Sequence, residues 1–137
     1  MHEDKQILLI EDDKVDALAV KKALKDTDIS NELIHISSGQ EALECLKNQT
    51  APNIGLILLD LNMPMMNGIE FLEERNKEPA IASIPLVVLT TSRNETDVKS
   101  SYKLGISGYI VKPVNYNDFK TVIKKLHAYW SLCELPE

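Results

Sequence analysis

Five short apolar runs alternate with amphipathic segments along the 137-residue chain, and this alternation limits the folds that it can adopt. Three of the runs are continuous and aliphatic, at 5–10, 54–60 and 84–90. Such runs are typical of strands that are covered on both faces, as in a parallel sheet. Shorter runs at 31–37 and 108–112 complete the set. The pattern therefore predicts five β–α units in sequence.

Helical periodicity fills the segments between these strands. The clearest case is the last helix, whose apolar residues at i, i+3, i+4, i+7 and i+11 are Phe119, Val122, Ile123, Leu126 and Trp130. The other predicted helices cover 14–26, 40–49, 68–77 and 95–104. Strands joined through helices pair in parallel with right-handed crossovers. We therefore expect an α/β fold with a doubly wound open sheet, whose functional groups gather at the carboxyl ends of the strands.

Composition excludes several classes of function. The formal net charge of -6 argues against general binding to nucleic acids or acidic membranes. Cys45 and Cys133 lack CxxC spacing, so we expect free thiols in a reduced compartment. The N-terminus lacks the apolar stretch of a signal peptide, and no apolar run approaches the ~20 residues of a membrane span. We therefore expect a cytoplasmic protein without nucleic-acid or membrane partners.

Polar side chains stand at the predicted carboxyl ends of four strands. In chain order they are Glu11, Asp12, Asp13, Asp60, Asn62, Thr90, Thr91, Ser92 and Lys112. Crowded carboxylates repel one another and need a cation, and oxygen ligands without His or Cys suit Mg²⁺ or Mn²⁺. A lysine and a hydroxyl group beside such a cation are suited to hold phosphoryl oxygens. Asp60, at the end of the central strand, is the candidate nucleophile for forming an aspartyl phosphate.

Four motifs carry a resemblance to a known family. The segments ILLIEDD, LILLDLNMPMMNG, IPLVVLTTS and GYIVKP resemble the receiver domain of bacterial response regulators, in the family's order and spacing. The resemblance implies a CheY-like, flavodoxin-like (βα)5 fold with a five-stranded parallel sheet of order 2-1-3-4-5. It implies a receiver domain at 1–128, followed by a tail at 129–137 that extends the last helix. It also implies a stand-alone response regulator of a two-component system rather than an enzyme with an external substrate.

The resemblance implies a role for each acidic residue and for the metal. Asp60 would accept the phosphoryl group from a histidine kinase. Asp12 would bind Mg²⁺ directly, Glu11 would act largely through water, and the backbone carbonyl of Asn62 would complete the protein's ligands. The domain would then catalyse only its own phosphorylation and dephosphorylation.

The resemblance also implies a switch. Thr90 and Lys112 would each bind a phosphoryl oxygen, and Tyr109 would be the aromatic switch residue. The peptide bond between Lys112 and Pro113 matches one that is usually cis in the family. Phosphorylation would change the face made by the fourth helix, fifth strand and fifth helix of a five-helix receiver, where a partner or a second copy would bind.

Simpler alternatives exist for some of these residues. Thr91 and Thr90 cannot be ordered by pattern alone, and only the family spacing selects Thr90. Asp13 and Asp16 could be metal ligands, but acids in the first turn of a helix more often interact with the helix dipole. Tyr109 could simply belong to the core.

The C-terminal tail has two interpretations. Trp130 could lie on the core face of a longer last helix. Alternatively, Tyr129, Trp130, Leu132 and Leu135 could form an apolar patch for a partner or a second copy. A Trp shortly before a final Leu-Pro resembles the single-domain regulators of bacterial phytochrome histidine kinases, which dimerise through their C-terminal face. That resemblance implies a phytochrome-type kinase as a partner.

Three rival functions are less consistent with the sequence. Phosphatases of the haloacid dehalogenase type need a second aspartate two positions after the nucleophile, where this chain has Asn62. A binding module that is never phosphorylated would not need a complete set of acids, hydroxyl and lysine. A nucleotide-binding domain is disfavoured because neither GxGxxG nor a P-loop follows any strand.

Overall fold

A computed structural model describes residues 2–48 and 53–136 of the chain. Its strands are β1 (Gln6–Ile10), β2 (Leu33–Ile36), β3 (Ile54–Leu59), β4 (Leu86–Thr90) and β5 (Gly108–Val111). They form one sheet of order β2-β1-β3-β4-β5 in which neighbouring strands are parallel. The predicted fold class and strand order are therefore confirmed.

Helices cover both faces of this sheet. They are α1 (Lys14–Asp26), α2 (Gly39–Lys47), α3 (Gly68–Arg75), α4 (Pro79–Ala82), α5 (Glu95–Lys103) and α6 (Tyr116–Leu132). The single turn α4 is absent from the sequence prediction, because one turn is too short to show helical periodicity. With α4 counted, the face predicted to switch is made by α5, β5 and α6. No helix in the described ranges is long and apolar enough to cross a membrane.

The start of β4 differs from the prediction. The predicted strand begins at residue 84, whereas β4 begins at Leu86. The buried guanidinium of Arg75 donates to the carbonyl oxygens of Ala82 and Ile84, at 2.8 and 3.0 Å. The Ile84 N–H donates back to Ile81. With both of its backbone groups bonded in this turn, Ile84 is not available to the sheet ladder.

Two apolar layers enclose the sheet. One contains Phe71 and Leu72 of α3 with residues of α2, and the other contains residues of α1 and α6. Strand β3 is buried along its whole length, as expected for the central strand. It therefore delivers the residue that follows Leu59 to the middle of the sheet's carboxyl edge.

The last helix continues across residue 128 and ends at Leu132. Trp130 is 3% exposed, and its indole N–H donates to the carbonyl oxygen of Gly55 at 3.1 Å. The core interpretation of Trp130 is therefore confirmed. Tyr129 and Leu132 are 68% and 75% exposed, so part of the predicted apolar patch does face outward.

One expectation about the backbone is wrong. No peptide bond among the described residues is cis, so the bond between Lys112 and Pro113 is trans. The trans form is the intrinsically preferred isomer of a bond before proline. The Lys112 N–H donates to the carbonyl oxygen of Thr90 at 2.7 Å, and this bond continues the ladder past the end of β5.

Candidate functional site

The sheet ladder itself fixes the position of two acidic residues at its carboxyl edge. The Glu11 N–H donates to Ile36 and the Asp60 N–H donates to Ile10, each at 3.1 Å. Both residues directly follow their strands, so each backbone is held by the last bond of the ladder. Their carboxylates are consequently brought to the same edge of neighbouring strands β1 and β3.

Three carboxylates form a cluster at this edge. Oxygen atoms of Glu11, Asp12 and Asp60 all lie within 4.8 Å of one another. Glu11 and Asp60 are buried, whereas Asp12 is exposed and opens the cluster to solvent. We call these three residues the acid cluster. An oxygen-only donor set with one open side fits Mg²⁺ or Mn²⁺ better than Zn²⁺.

The electrostatics of the acid cluster favour an added cation. Burial, together with the nearby charge of Asp60, raises the pKa of Glu11 to about 7, although the hydrogen bond from Lys112 acts in the opposite direction. One lysine therefore does not fully compensate the buried acids. A divalent cation would supply the missing positive charge.

Lys112 lies beside the acid cluster and contacts two carboxylates. Its Nζ is 2.6 Å from Glu11 Oε1 and 3.3 Å from Asp16 Oδ2. Burial alone lowers the pKa of Lys112, but the hydrogen bond and charge of Glu11, with the charges of Asp60 and Asp16, raise it overall. Among the described residues, no ion pair within 4.0 Å joins Lys112 to Asp60. The lysine is thus held near Asp60, the candidate nucleophile, without forming an ion pair with it.

Thr90 is fully buried at the end of β4, whereas Thr91 is exposed. The Thr90 hydroxyl oxygen accepts hydrogen bonds from the Asn62 amide and from the Ser92 N–H, both at 3.4 Å. Asn62 follows Asp60 by two residues, so the loop after β3 contacts the Thr90 side chain directly. This geometry favours Thr90 over Thr91 as the hydroxyl group of the site.

Ser92 connects this hydroxyl to the switch candidate. The Tyr109 hydroxyl donates to the Ser92 carbonyl oxygen at 3.0 Å. The Ser92 hydroxyl donates to Asp97, in the first turn of α5, at 2.7 Å. Tyr109 is partly buried against the core, and burial raises its pKa. One serine therefore joins Thr90, Tyr109 and α5, a connection that the sequence pattern does not contain.

The acids after β1 have different roles. Asp13 is the N-cap of α1 and accepts from the N–H groups of Val15 and Asp16, at 2.8 and 3.1 Å. Asp13 therefore caps the helix start through hydrogen bonds, whereas the sequence interpretation gave it an interaction with the helix dipole from the first turn. Asp16 is instead a partner of Lys112, which sequence reasoning missed. The available signal is its position in the first turn of α1, directly after the acidic residues that end β1.

None of the three histidines joins the acid cluster. His35 binds the backbone carbonyl of Glu11 at 2.7 Å, so its contact helps to fix the end of β1. His2 and His127 lie against the Trp130 ring, with ring centroids 5.2 and 5.7 Å away. These contacts join the histidines to the backbone and to the core.

The comparisons with known proteins agree with one another on the kind of protein that this chain is similar to. The family model described as the response regulator receiver domain matches residues 7–124. The response regulator Rcp1 of a Synechocystis species is 41% identical over 130 residues, covering 92% of this chain and 88% of Rcp1. The crystal structure of the phosphorylated cyanobacterial phytochrome response regulator RcpA superposes with a TM-score of 0.90 at 36% identity, covering 97% of this chain and 99% of RcpA. The Mn²⁺-bound form of Rcp1 gives 0.88 at 39% identity, with the same coverage of each chain.

Proposed function

This chain belongs to the response regulator receiver family, and from that premise we propose that Asp60 is the residue that accepts the phosphoryl group. The observation that carries the proposal is the position of Asp60. It lies at the end of the central strand, inside the acid cluster, and next to but not paired with Lys112. Asp60 is 7% exposed, so its carboxylate is largely shielded from solvent.

The transfer would proceed by attack of a carboxylate oxygen of Asp60 on phosphorus. In a histidine kinase donor the phosphorus–nitrogen bond breaks as the new oxygen–phosphorus bond forms, and the imidazole nitrogen keeps the electron pair. The phosphoryl group then carries its charge next to Lys112 and the Thr90 hydroxyl. Positioning and charge neutralisation supply most of the catalysis in such transfers.

A divalent cation completes this proposed site. Glu11, Asp12 and Asp60 would hold Mg²⁺ or Mn²⁺, with the Asn62 carbonyl as a further oxygen ligand. When bound, the ion neutralises charge on the phosphoryl oxygens and on the crowded carboxylates. The solved structure of Rcp1 with Mn²⁺ supports this choice of ion.

The proposed output is a population shift that starts at Thr90. A phosphoryl oxygen would attract the Thr90 hydroxyl and compete with its bonds from Asn62 and Ser92. Because Ser92 also contacts Tyr109 and Asp97, a movement of Thr90 would reach β5 and α5 together. The face made by α5, β5 and α6 would therefore differ between the two states.

The proposed partners are a histidine kinase and a second copy of the chain. The relatives named as phytochrome response regulators support a kinase of the phytochrome type. In the proposed division, the receiver covers 1–128 and the tail at 129–137 adds an apolar surface. A groove of about 410 Å³ beside the tail is lined mainly by apolar residues such as Ile110, Val122 and Tyr129, and Ser107 and Lys125 also line it. Dimerisation through this C-terminal face would cover it.

The experiment that tests the assignment is mapping of the modified residue. After treatment with a small acyl phosphate and Mg²⁺, borohydride reduction converts an aspartyl phosphate to homoserine. We expect homoserine at position 60 in the peptide that contains it. Homoserine at another aspartate, such as Asp12, would contradict the assignment.

A further inference from the structure

Lys112 has two carboxylate partners, Glu11 and Asp16, and only one of them belongs to the acid cluster. Glu11 belongs to the acid cluster, whereas Asp16 lies outside it. We propose that Asp16 is a positioning residue for phosphoryl transfer, which keeps the Lys112 ammonium at the site when the acid cluster engages its cation. This inference rests on the proposed phosphorylation of Asp60.

The first step of the argument is the number of donors and acceptors. A lysine ammonium has three N–H donors and no acceptor. Glu11, at 2.6 Å, and Asp16, at 3.3 Å, accept two of the three hydrogen bonds. The third donor stays available for a phosphoryl oxygen on Asp60, which is not itself paired with Lys112.

The second step is competition for Glu11. The Glu11 carboxylate lies close to Asp12 and Asp60, the other proposed ligands of the cation. It is also paired with Lys112. Any interaction of Glu11 with a cation weakens its hold on the lysine, because the two positive charges repel and share one acceptor. Asp16 has no such competing role among the described contacts, so it retains the ammonium.

The third step is the freedom of the lysine side chain. A cavity of about 140 Å³ is lined by Lys112 and Asp16 together with residues that include Ala19, Pro113 and Tyr116. This space leaves the ammonium room to move, and the Asp16 carboxylate is the acceptor that holds it on this side. The Asp16 N–H bond to the Asp13 cap, at 3.1 Å, fixes the backbone of Asp16 at the start of α1. The Asp16 carboxylate therefore extends toward Lys112 from a fixed backbone position, even though the Asp16 side chain is 46% exposed.

The test uses acetyl phosphate as donor, so that docking of a kinase does not enter the measured rate. We expect Asp16→Asn to slow phosphorylation of Asp60 by roughly threefold, the scale of a partly exposed ion pair. Asp16→Glu keeps the charge and should recover most of the rate. Asp118→Asn is the matched control, because Asp118 is also in the first turn of a helix on the same sheet face. It should leave the rate unchanged.

Two further readouts separate positioning from general effects of charge. In a Lys112→Ala background, Asp16→Asn should cause no additional loss of rate, since coupled residues are not additive. In the NMR spectrum of the untreated protein, the Lys112 methylene signal next to Nζ should shift in Asp16→Asn and not in Asp118→Asn. This second readout does not depend on phosphorylation.

The inference is overturned by an Asp16→Asn rate equal to or faster than that of wild type, or by an equal loss with and without Lys112. Wild type phosphorylated on Asp60, with all Asp16 variants at its rate, would remove this inference and leave the proposed function intact. A wild-type protein that gains no phosphoryl group would remove both.

Discussion

At the scale of single residues, the site depends on how its buried charges are compensated. The side chains of Glu11 and Lys112 are 2% and 10% exposed and form one short ion pair. Removing one member of such a pair leaves the other charge buried, which costs more than removing both. The pair therefore holds the ends of β1 and β5 together only while both charges are present.

This leads to a prediction about stability in the absence of divalent cations. Lys112→Met should lower the free energy of unfolding by about 3 kcal/mol, because Glu11 loses its partner. Adding Glu11→Gln should recover a large part of that loss. Urea denaturation in EDTA measures wild type, the single variants Lys112→Met and Glu11→Gln, and the double variant. A double variant whose loss equals the sum of the two single losses would contradict the pairing.

A second residue-scale prediction concerns His127. Its Nε2 is 2.9 Å from Asn31 Oδ1, and burial lowers its pKa below the ordinary value of 6.5. The unfolded chain therefore binds the proton more readily, so this contribution to stability is complete above about pH 6.5 and is lost as the pH falls through the folded pKa.

Denaturation at several pH values measures this contribution as a positive slope of the free energy of unfolding up to about pH 6.5. The raised pKa of Glu11 adds a slope of the opposite sign, so the contribution of His127 is taken from the difference between wild type and variant. His127→Gln should reduce that slope. An unchanged slope in the variant would show that other groups produce it.

At the scale of elements, packing of the last helix decides what the tail can do. Trp130 of α6 reaches across to β3 and bonds the Gly55 carbonyl oxygen. A Cβ atom at Gly55 would lie 3.1 Å from the Trp130 ring and 2.9 Å from Lys5, so glycine leaves room for this contact. The end of α6 is therefore part of the core and not a free extension.

The element-scale prediction compares neighbouring residues of α6. Trp130→Phe should lower the free energy of unfolding by about 1–3 kcal/mol, because a buried carbonyl loses its donor. Trp130→Ala should cost about 3–5 kcal/mol through the cavity that it leaves. Tyr129→Ala, one residue earlier and 68% exposed, should stay within about 0.5 kcal/mol. Equal losses at both positions would contradict the packing described.

Most elements could be predicted from sequence because their patterns are local. Each of these patterns lies within a short segment of the sequence. Examples are the aliphatic runs of β3 and β4 and the apolar periodicity of α6. The single turn α4 could not be predicted, since its boundaries depend on the buried Arg75 and its bonds to two carbonyls.

The site was predictable to a similar extent. The positions of Asp60 and Lys112 follow from strand ends and the family motifs. The choice of Asp16 as a second partner of Lys112 could not be predicted, because it depends on side-chain conformations that join positions 96 residues apart. The link from Thr90 through Ser92 to Tyr109 requires the same three-dimensional information.

At the scale of the whole molecule, the candidate site and the Trp130 contact lie at opposite edges of the sheet. The acid cluster and Lys112 lie at the carboxyl edge, and the indole of Trp130 contacts Gly55 near the start of β3. Strand β3 runs between these two places, whereas the partners of Ser92 lie to one side, Tyr109 in β5 and Asp97 in α5. A change at the proposed phosphorylation site would therefore reach β5 and α5 through Ser92.

The proposed self-association should depend on the exposed residues of the tail. Replacing Tyr129 and Leu132 with serine should weaken association in sedimentation experiments while leaving phosphorylation at the wild-type rate. Removing residues 129–137 is a poorer test, because it also removes the buried Trp130. A double serine variant that sediments as wild type would place the interface elsewhere.

The most direct test of the central claim is intact mass after incubation with acetyl phosphate, with and without Mg²⁺, on wild type and Asp60→Asn. The proposed function predicts one added phosphoryl group in wild type, dependent on Mg²⁺ and absent from the variant. A phosphoryl group on Asp60→Asn at the wild-type rate, or none on wild type under any condition, would contradict it.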